Sequence, residues 1–342
     1  MRHSLLPALR LALPAGVLPG RGPVSCALVV ALGLAACKAP TPAGKSDHTA
    51  PGFGTASTAK PTATLEKRGG AAGAGPAPTT TATAAPGAAT AVSPAGKGKA
   101  RSVHLAMGIP ADGDEGDDYL MVKPQYALSY NKRLNDPNWV SYNLDAAYFG
   151  DVPRFSGSFM PDTSLPAGFY QVRHADYTNS GYDRGHLVRS EERTKTPADN
   201  EATFLTVNLL PQYHDMNAGP WLRLEEYCQR LAQKQNKELF IVAGGVFAPK
   251  PETIGKGVAV PLSTYKVVVV LDRNQSVEHV TESTRVIAVN MPNKKGILRE
   301  DWGQYRTSVA ELEKATRYNF LSDVPERIQR ALEGKVDTGP ED

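Results

Sequence analysis

The feature that most limits how this chain can fold is a long stretch of small and polar residues near its N-terminus. From Lys38 to Ala100 the sequence is dominated by Ala, Thr, Pro, Gly and Ser and has almost no large apolar side chains. Such a stretch buries too little surface to offset the entropy that it would lose on folding. We therefore predict a disordered tether over residues 37–101, one folded domain over residues 102–334 and a disordered tail over residues 335–342.

The predicted domain mixes short apolar segments with helical patterns in no regular alternation. Its predicted strands are Tyr119–Val122, Tyr126–Asn131, Trp139–Leu144, Phe169–Arg173, Phe204–Leu210, Leu239–Ala243, Tyr265–Asp272 and Arg285–Asn290. Its predicted helices are Pro220–Gln235, Thr307–Thr316 and Val324–Leu332, and a turn is predicted at 135–138. Strands and helices in this order are typical of an α+β fold with one substantial core.

The first 36 residues have the features of an export signal. Positive charges are scattered up to Arg21, and the apolar run Val24–Ala36 is too short to span a bilayer comfortably. The run ends in Leu-Ala-Ala followed by Cys37, which resembles a bacterial lipobox, whose cysteine carries membrane-anchoring acyl chains. We expect a signal peptide over residues 1–36 and an exported protein anchored to a membrane at Cys37, on the periplasmic face or the cell surface. An ordinary cleaved signal with an incidental cysteine is the alternative.

The charge balance of the predicted domain excludes a broad basic face. Ten of the 38 basic residues and two of the 35 acidic ones precede residue 101, so residues 101–342 hold 28 basic and 33 acidic side chains, a net charge of −5. A polyanion would therefore have to be bound at a local site. The pair Glu191 and Glu192 and the run Asp112–Asp118 are expected in solvated loops, with a Ca²⁺ site at the run as an alternative. The lone Cys228 has apolar neighbours at helical spacing, which indicates a core position.

One short segment brings together three side chains of different chemistry. Asp183, Arg184 and His186 lie within four residues, and a glycine between the last two allows a tight backbone path. The chain then runs through a loop, a predicted strand and a polar turn to Asn217 at the start of a predicted helix, with Glu225 two turns further on. This order is expected to bring the histidine beside the asparagine.

Such a set of residues suits the hydrolysis of a phosphodiester. That reaction needs a base to activate water, a cation on the phosphate oxygens and a way to neutralise the departing 3′ oxygen. A neutral His186 suits the base, because the ordinary pKa of histidine is about 6.5. The amide oxygen of Asn217, together with waters held by Glu225, suits Mg²⁺, which keeps several waters when it binds proteins. Arg184 can add positive charge at the phosphate.

The same residues resemble those of the DNA/RNA non-specific endonucleases, a ββα-metal family of endonuclease G-like enzymes. The family's Asp-Arg-Gly-His motif stands intact at 183–186. Further matching residues are Leu128-Ser129-Tyr130-Asn131, Trp139-Val140-Ser141-Tyr142, Leu165-Pro166-Ala167-Gly168, Arg193-Thr194-Lys195-Thr196, Thr203-Phe204-Leu205, Asn208, Pro211-Gln212, Trp221 and Tyr227-Cys228. The resemblance covers roughly Tyr126–Phe247 and continues more weakly to about Phe320.

The resemblance implies a ββα-metal fold, with a mixed or antiparallel central sheet flanked by helices, and a metal-dependent endonuclease that cleaves DNA and RNA. It implies that His186 is the general base and that Asn217 is the direct protein ligand of a single Mg²⁺, for which Mn²⁺ could substitute. Glu225 would hold metal-bound water, and Arg184 would contact phosphate. Asp183 belongs to the motif and would orient the turn or pair with the arginine.

The sequence departs from the family pattern at two arginines. Gln229 stands where relatives often have an arginine, with Arg230 beside it, and Met160 replaces another, for which Arg154 is the nearest candidate. Arg154 and Arg230 are therefore assigned to substrate binding. These departures keep open a catalytically degenerate surface lipoprotein that binds nucleic acid or a protein partner, and a secreted toxin nuclease is a further alternative. No obligate protein partner is inferred, and a homodimer stays open.

Overall fold

The computed structural model describes residues 90–91 and 102–341, so the leader, Cys37 and nearly all of the predicted tether lie outside the described residues. The strands are β1 (Thr90–Ala91), β2 (Tyr119–Val122), β3 (Ala127–Asn131), β4 (Asp136–Leu144), β5 (Asp183–His186), β6 (Leu209–Gln212), β7 (Lys237–Val246), β8 (Thr253–Ile254), β9 (Val258–Ala259), β10 (Ser263–Asp272), β11 (Arg285–Pro292) and β12 (Arg306–Thr307). The helices are α1 (Pro197–Ala202), α2 (His214–Met216), α3 (Leu222–Lys234), α4 (Val309–Thr316) and α5 (Glu326–Glu333). Between α2 and α3 lies a π-helical turn, Asn217–Trp221, and the 3-10 turns are Val103–Leu105, Ala146–Tyr148, His174–Tyr177, Ser190–Glu192, Thr206–Asn208, Val277–His279 and Trp302–Tyr305.

An eight-stranded sheet in the order β1-β2-β3-β4-β7-β10-β11-β12 forms the centre of the molecule. Its neighbouring strands are antiparallel. The two long strands in the middle, β7 and β10, are rich in β-branched and apolar residues and are buried on both faces, which is why they read as near-continuous apolar runs. The predicted α+β fold is confirmed. Within the described residues, no helix is long and apolar enough to cross a membrane.

The sheet has two covered faces because side chains alternate along each strand. On β10, Lys266 and Val268 point to the side covered by α3, which we call the α3 face. Tyr265 and Val267 point to the other side, which is covered by α4, α5 and the 3-10 turn at 103–105 and which we call the α4 face. Helix α3 packs through buried residues at helical spacing, namely Leu224, Cys228 and Leu231. Cys228 is fully buried, as its spacing predicts.

Two predicted strands are wrong. Residues 169–173 form no strand, and within 204–210 only Leu209 and Leu210 belong to a strand, at the start of β6. Leu205 forms an isolated bridge with Met160, and a 3-10 turn follows over Thr206–Asn208. The cause is the side chain of Asn208, which exchanges hydrogen bonds with the backbone N–H and C=O of Val188, both at 2.9 Å. A polar side chain bonded to the backbone holds the chain in a turn despite its apolar composition.

The C-terminal segment also differs from its prediction as a disordered tail. Asp337 accepts from Arg285 on β11 at 2.8 Å and lies 3.4 Å from Arg306 on β12. Val336 forms an antiparallel bridge with Ser308. Two arginines on adjacent strands therefore hold the segment against the sheet, so that ordered structure continues past residue 334.

Candidate active site

A short antiparallel ribbon followed by a helix places the motif residues. Strand β5 pairs with β6, with Asp183 opposite Gln212, and the chain then passes through α2 and the π-helical turn into α3. A side chain at Gly185 has no room, because a Cβ there would lie 2.0 Å from the Oε1 atom of the fully buried Gln212. Alternation along β5 puts Arg184 and His186 on one face and Asp183 on the other.

The ring of His186 lies between two aromatic rings. The ring centroids of Phe159 and Phe204 are each 5.2 Å from the imidazole centroid. Burial, reinforced by the nearby charge of Arg154, lowers the pKa of His186 to about 3. The Nε2 atom is buried and has no hydrogen-bond partner within the described part of the chain. The imidazole is therefore neutral at physiological pH, with an unsatisfied nitrogen of the kind that functional sites retain.

Asp183 fixes the orientation of the asparagine at the start of the helical segment. Its Oδ2 atom accepts from Nδ2 of Asn217 at 2.9 Å and from Nδ1 of His214 at 2.8 Å. Because the amide nitrogen of Asn217 is engaged, its carbonyl oxygen Oδ1 is left to accept from another group or to bind a cation. The wide turn that carries Asn217 departs from helical angles at Gly219, where a Cβ would meet the backbone of Leu298 at 2.9 Å.

Arg184 extends along the same face of β5 as the catalytic candidate His186. Its Nη2 donates to the carbonyl of His174 at 2.8 Å and to Oγ1 of Thr178 at 3.2 Å. Its Nε is buried without a partner among the described residues. The guanidinium is thus held in place by backbone and hydroxyl acceptors rather than by a carboxylate, so its positive charge is not neutralised by an ion pair there.

Glu225 is buried against a lysine that sequence reasoning missed. Nζ of Lys266, which is fully buried, lies 3.4 Å from Oε1 of Glu225 and 4.3 Å from the ring centroid of Trp221. Burial raises the pKa of Glu225 to about 7, with Lys266 opposing the rise and Glu192 adding to it. The available signal was the single charged residue inside the apolar run of β10.

Glu192 and the acidic run Asp112–Asp118 lie in different environments. Glu192 was expected in a solvated loop but is fully buried, and burial raises its pKa against the positive charges of Lys266 and Arg193. In the run, carboxylate oxygens of Asp112, Asp117 and Asp118 lie within 4.8 Å of one another, a spacing that could hold a cation. One of them, Asp117, forms an ion pair with Arg133 at 2.6 Å.

The two arginines assigned to substrate binding are placed differently. The guanidinium carbon of Arg154 lies 4.9 Å from the ring centroid of Phe204, the same ring that contacts His186. Arg230 instead donates to the carbonyl of Glu341 at 3.3 Å and lies over Tyr227. The structure thus brings Arg154 to the site, while the contacts of Arg230 are with the C-terminal segment and a core tyrosine.

Comparison with known proteins decides the family. A family model described as DNA/RNA non-specific endonuclease matches residues 106–327. The chain belongs to this family. The match spans both strands of the β5–β6 ribbon, α3 and the whole of β10, and therefore includes every motif residue discussed above. The predicted membership of the family is confirmed.

Individual relatives agree with this assignment. The chain is 48% identical over 241 residues to a protein named "Nuclease" from Nostoc sp., covering 69% of this chain and 86% of that protein. It is 31% identical over 226 residues to human "Nuclease EXOG, mitochondrial", covering 63% of this chain and 59% of that protein. A chain in the crystal structure of the EndoG/EndoGI complex superposes with a TM-score of 0.56 at 25% identity, covering 66% of this chain and 92% of that chain. The chain is thus similar to nucleases in both sequence and fold.

Proposed function

We propose that this member of the endonuclease family hydrolyses phosphodiester bonds in both DNA and RNA with the help of one divalent metal ion. The observation that carries the proposal is the pairing of a neutral His186, with an unsatisfied buried nitrogen, and an Asn217 whose carbonyl oxygen is freed by Asp183. A proton acceptor and a cation ligand at the ends of one ββα unit supply the two functions that hydrolysis by activated water requires.

In this proposal His186 takes a proton from the attacking water. The aromatic contacts of Phe159 and Phe204 restrict the ring to one orientation, which aligns a nitrogen with the proton that it accepts. Arg184, which has no carboxylate partner among the described residues, supplies positive charge to the phosphate as negative charge develops on its oxygens. Both side chains project from the same face of β5, so one phosphate can meet both.

The residues also fit a hard divalent cation. Asn217 Oδ1 would be the direct protein ligand, and the carboxylate of Glu225 would hold water on the ion, a donor set of oxygens that suits Mg²⁺ or its substitute Mn²⁺. When bound, the ion supplies positive charge that stabilises the phosphate and the departing 3′ oxygen. Asp183 acts as a positioning residue, since it holds the asparagine rather than the phosphate.

The test is cleavage of supercoiled plasmid DNA and of a structured RNA by the purified full chain, with Mg²⁺, with Mn²⁺ and with EDTA. We expect nicking of both substrates that requires the metal and is lost in His186→Ala. His279→Ala is the matched control, because His279 is exposed and its contacts are with its near neighbours Glu278 and Ser276. Folded protein that cleaves neither substrate with either metal would contradict the proposed nuclease activity. It would favour the alternative of a catalytically degenerate lipoprotein that binds nucleic acid or a protein partner.

We also propose that the protein is exported and anchored to a membrane through lipid on Cys37. The support is the sequence around that cysteine, which lies outside the described residues. Cells that express the full chain would be fed a labelled fatty acid and then fractionated. Label on the wild type and its loss in Cys37→Ser, together with release of the variant from the membrane fraction, are expected. Unlabelled wild type in the soluble fraction would contradict the anchor.

A further inference from the structure

Two arginines share one carboxylate next to the catalytic histidine. Nη1 of Arg154 lies 3.1 Å from Oε1 of Glu191, and Nε of Arg189 lies 3.1 Å from Oε2 of the same side chain. We call Arg154 and Arg189 the arginine pair. Arg154 packs on the ring of Phe204, which also packs on His186, and Arg189 follows the histidine by three residues.

The position of Arg189 is set by a residue on α3. Its Nη1 donates to Oε1 of Gln229 at 3.3 Å, so the guanidinium lies over the helix position where the sequence lacks the expected arginine. The electrostatic effects on the histidine agree with this placement: burial and then Arg154 lower the pKa of His186, Glu191 raises it, and Arg189 lowers it. Positive charge from two loops therefore converges on the site, even though Met160 and Gln229 themselves are uncharged.

The shared carboxylate can be displaced. The side chain of Glu191 is 37% exposed and that of Arg154 is 49% exposed, so water and solutes reach the contact. An ion pair at such exposure contributes little to stability, so the contact of Glu191 with Arg154 can be exchanged for another anion, while Arg189, at 17% exposed, is held more firmly. A guanidinium binds carboxylate and phosphate with the same fork of donors, and two of them around one oxyanion form a site for either group.

We propose that the arginine pair binds a backbone phosphate of the nucleic acid beside the scissile bond, and that Glu191 occupies this phosphate position in the free protein. The proposal rests on the proposed nuclease function and deepens it. It explains how a domain with a net negative charge can hold a polyanion, because the two guanidiniums act at the site rather than across a broad face. Binding would exchange one carboxylate for one phosphate and would release Glu191 to solvent.

The experiment measures binding without turnover. Full-length His186→Ala serves as the background, and its affinity for a fluorescein-labelled DNA duplex is measured by anisotropy in Mg²⁺ over a series of salt concentrations. Arg154→Ala and Arg189→Ala should each raise Kd about tenfold and each reduce the slope of log Kd against log salt by about one, as expected for one lost phosphate contact. Glu191→Gln, which keeps the shape and removes the charge, should lower Kd about threefold.

Matched controls come from the other side of the sheet. Arg327 and Glu282 form an exposed ion pair at 2.7 Å, and α5, which carries the arginine, packs on the α4 face. Arg327→Ala and Glu282→Gln should leave both Kd and salt slope unchanged. Arg189→Lys, which keeps the charge, should retain most of the slope and guards against a simple folding defect.

The outcomes separate the two proposals. An unchanged Kd and an unchanged salt slope in both alanine variants would overturn the binding of phosphate by the arginine pair. Plasmid cleavage by the wild type would still support the nuclease function. Weaker binding in the alanine variants with no gain in Glu191→Gln would overturn the displacement of Glu191. Wild-type protein that binds DNA but cleaves it with no metal would contradict the nuclease function. The phosphate site would then stand or fall with the salt slopes of the two alanine variants.

Discussion

A histidine lies on each side of the central sheet, His104 buried and His186 half-buried, and the two rings differ in their hydrogen bonds. On the α4 face, Nε2 of His104 lies 2.8 Å from the carbonyl of Pro124, and Nδ1 accepts from the N–H of Asn143 at 3.2 Å. On the α3 side, Nε2 of His186 has no partner in the described chain. Burial lowers the pKa of both, to about 4 and about 3 respectively. A lowered pKa therefore does not by itself mark a functional histidine, whereas the unpartnered nitrogen distinguishes the proposed catalytic ring from the structural one.

The two faces also differ in the side chains that a single strand presents to them. On β10, Tyr265, Val267 and Val269 fill the α4 face, whereas Lys266 on the α3 face meets Glu225. A buried ion pair rarely stabilises a fold more than well-packed apolar side chains would. The charged pair is found on the side of the sheet where the proposed metal site needs a carboxylate.

The largest effect is expected for His186→Ala. Because the proposed general base is removed, kcat should fall by about a hundredfold to ten-thousandfold. The variant should still fold, with a modest loss of stability from the missing contacts with Phe159 and Phe204 and none from the unpartnered ring nitrogen. Plasmid nicking and thermal unfolding measure the two quantities. A variant that keeps a tenth of the wild-type activity would contradict the catalytic role that we assign to His186 and not to His104.

Lys266→Met tests the charged side of the sheet. It leaves Glu225 and Glu192 buried without their shared cation, so the free energy of unfolding should drop by about 3 kcal/mol. Lys237→Met is the control, because its partner Asp272 is mostly exposed and a surface pair contributes less than about 1 kcal/mol. Urea unfolding of both variants gives the comparison, and equal losses would count against a special role for the α3 face.

His104 should make stability depend on pH. Its folded pKa of about 4 lies below the ordinary value of 6.5, so its contribution is complete above pH 6.5 and is lost as the pH falls towards 4. The full contribution is at most about 3 kcal/mol. The difference in unfolding free energy between wild type and His104→Gln, measured at fixed salt from pH 7 to pH 4.5, should shrink over this window. A constant difference would mean that His104 does not titrate in it.

The smallest effect is expected for Asp183→Asn. The variant weakens the hold on Asn217, so the Mg²⁺ concentration for half-maximal nicking should rise about tenfold, with activity recovered at saturating metal. Asp301→Asn, at an exposed carboxylate, should show the wild-type dependence on Mg²⁺. An unchanged metal requirement in Asp183→Asn, with kcat reduced instead, would move Asp183 from positioning to direct contact with the reaction.

Local patterns predicted the central strands and the helix beside the motif. The apolar runs of β7, β10 and β11 and the helix α3 follow from spacing and composition, whereas the short strand β5 that carries the motif was not among the predicted strands. The order of elements predicts the histidine beside the asparagine, whereas the contact that the structure shows joins Asn217 to Asp183 of the same motif.

Contacts between distant residues were not predictable in the same way. Nothing in the local sequence shows that Glu192 is buried or that Arg189 forms a hydrogen bond with Gln229. The same holds for the hydrogen bond between Asn208 and Val188, which holds the chain in a turn. These features depend on partners at least 20 positions away, and no propensity scale contains them. They lie around the site because there the chain uses polar side chains to shape irregular backbone.

The partner of Glu225 has a consequence for the growing chain. Lys266 follows the glutamate by 41 positions and belongs to the strand that joins β7 to β11. When synthesis has passed Glu225 but has not reached β10, the nascent chain contains His186, Asn217 and Glu225. At that stage the sheet against which α3 packs is incomplete. Contacts of such long sequence separation form late in folding. The proposed active site would then be completed only with the last third of the domain, so partly synthesised chains are expected to be inactive.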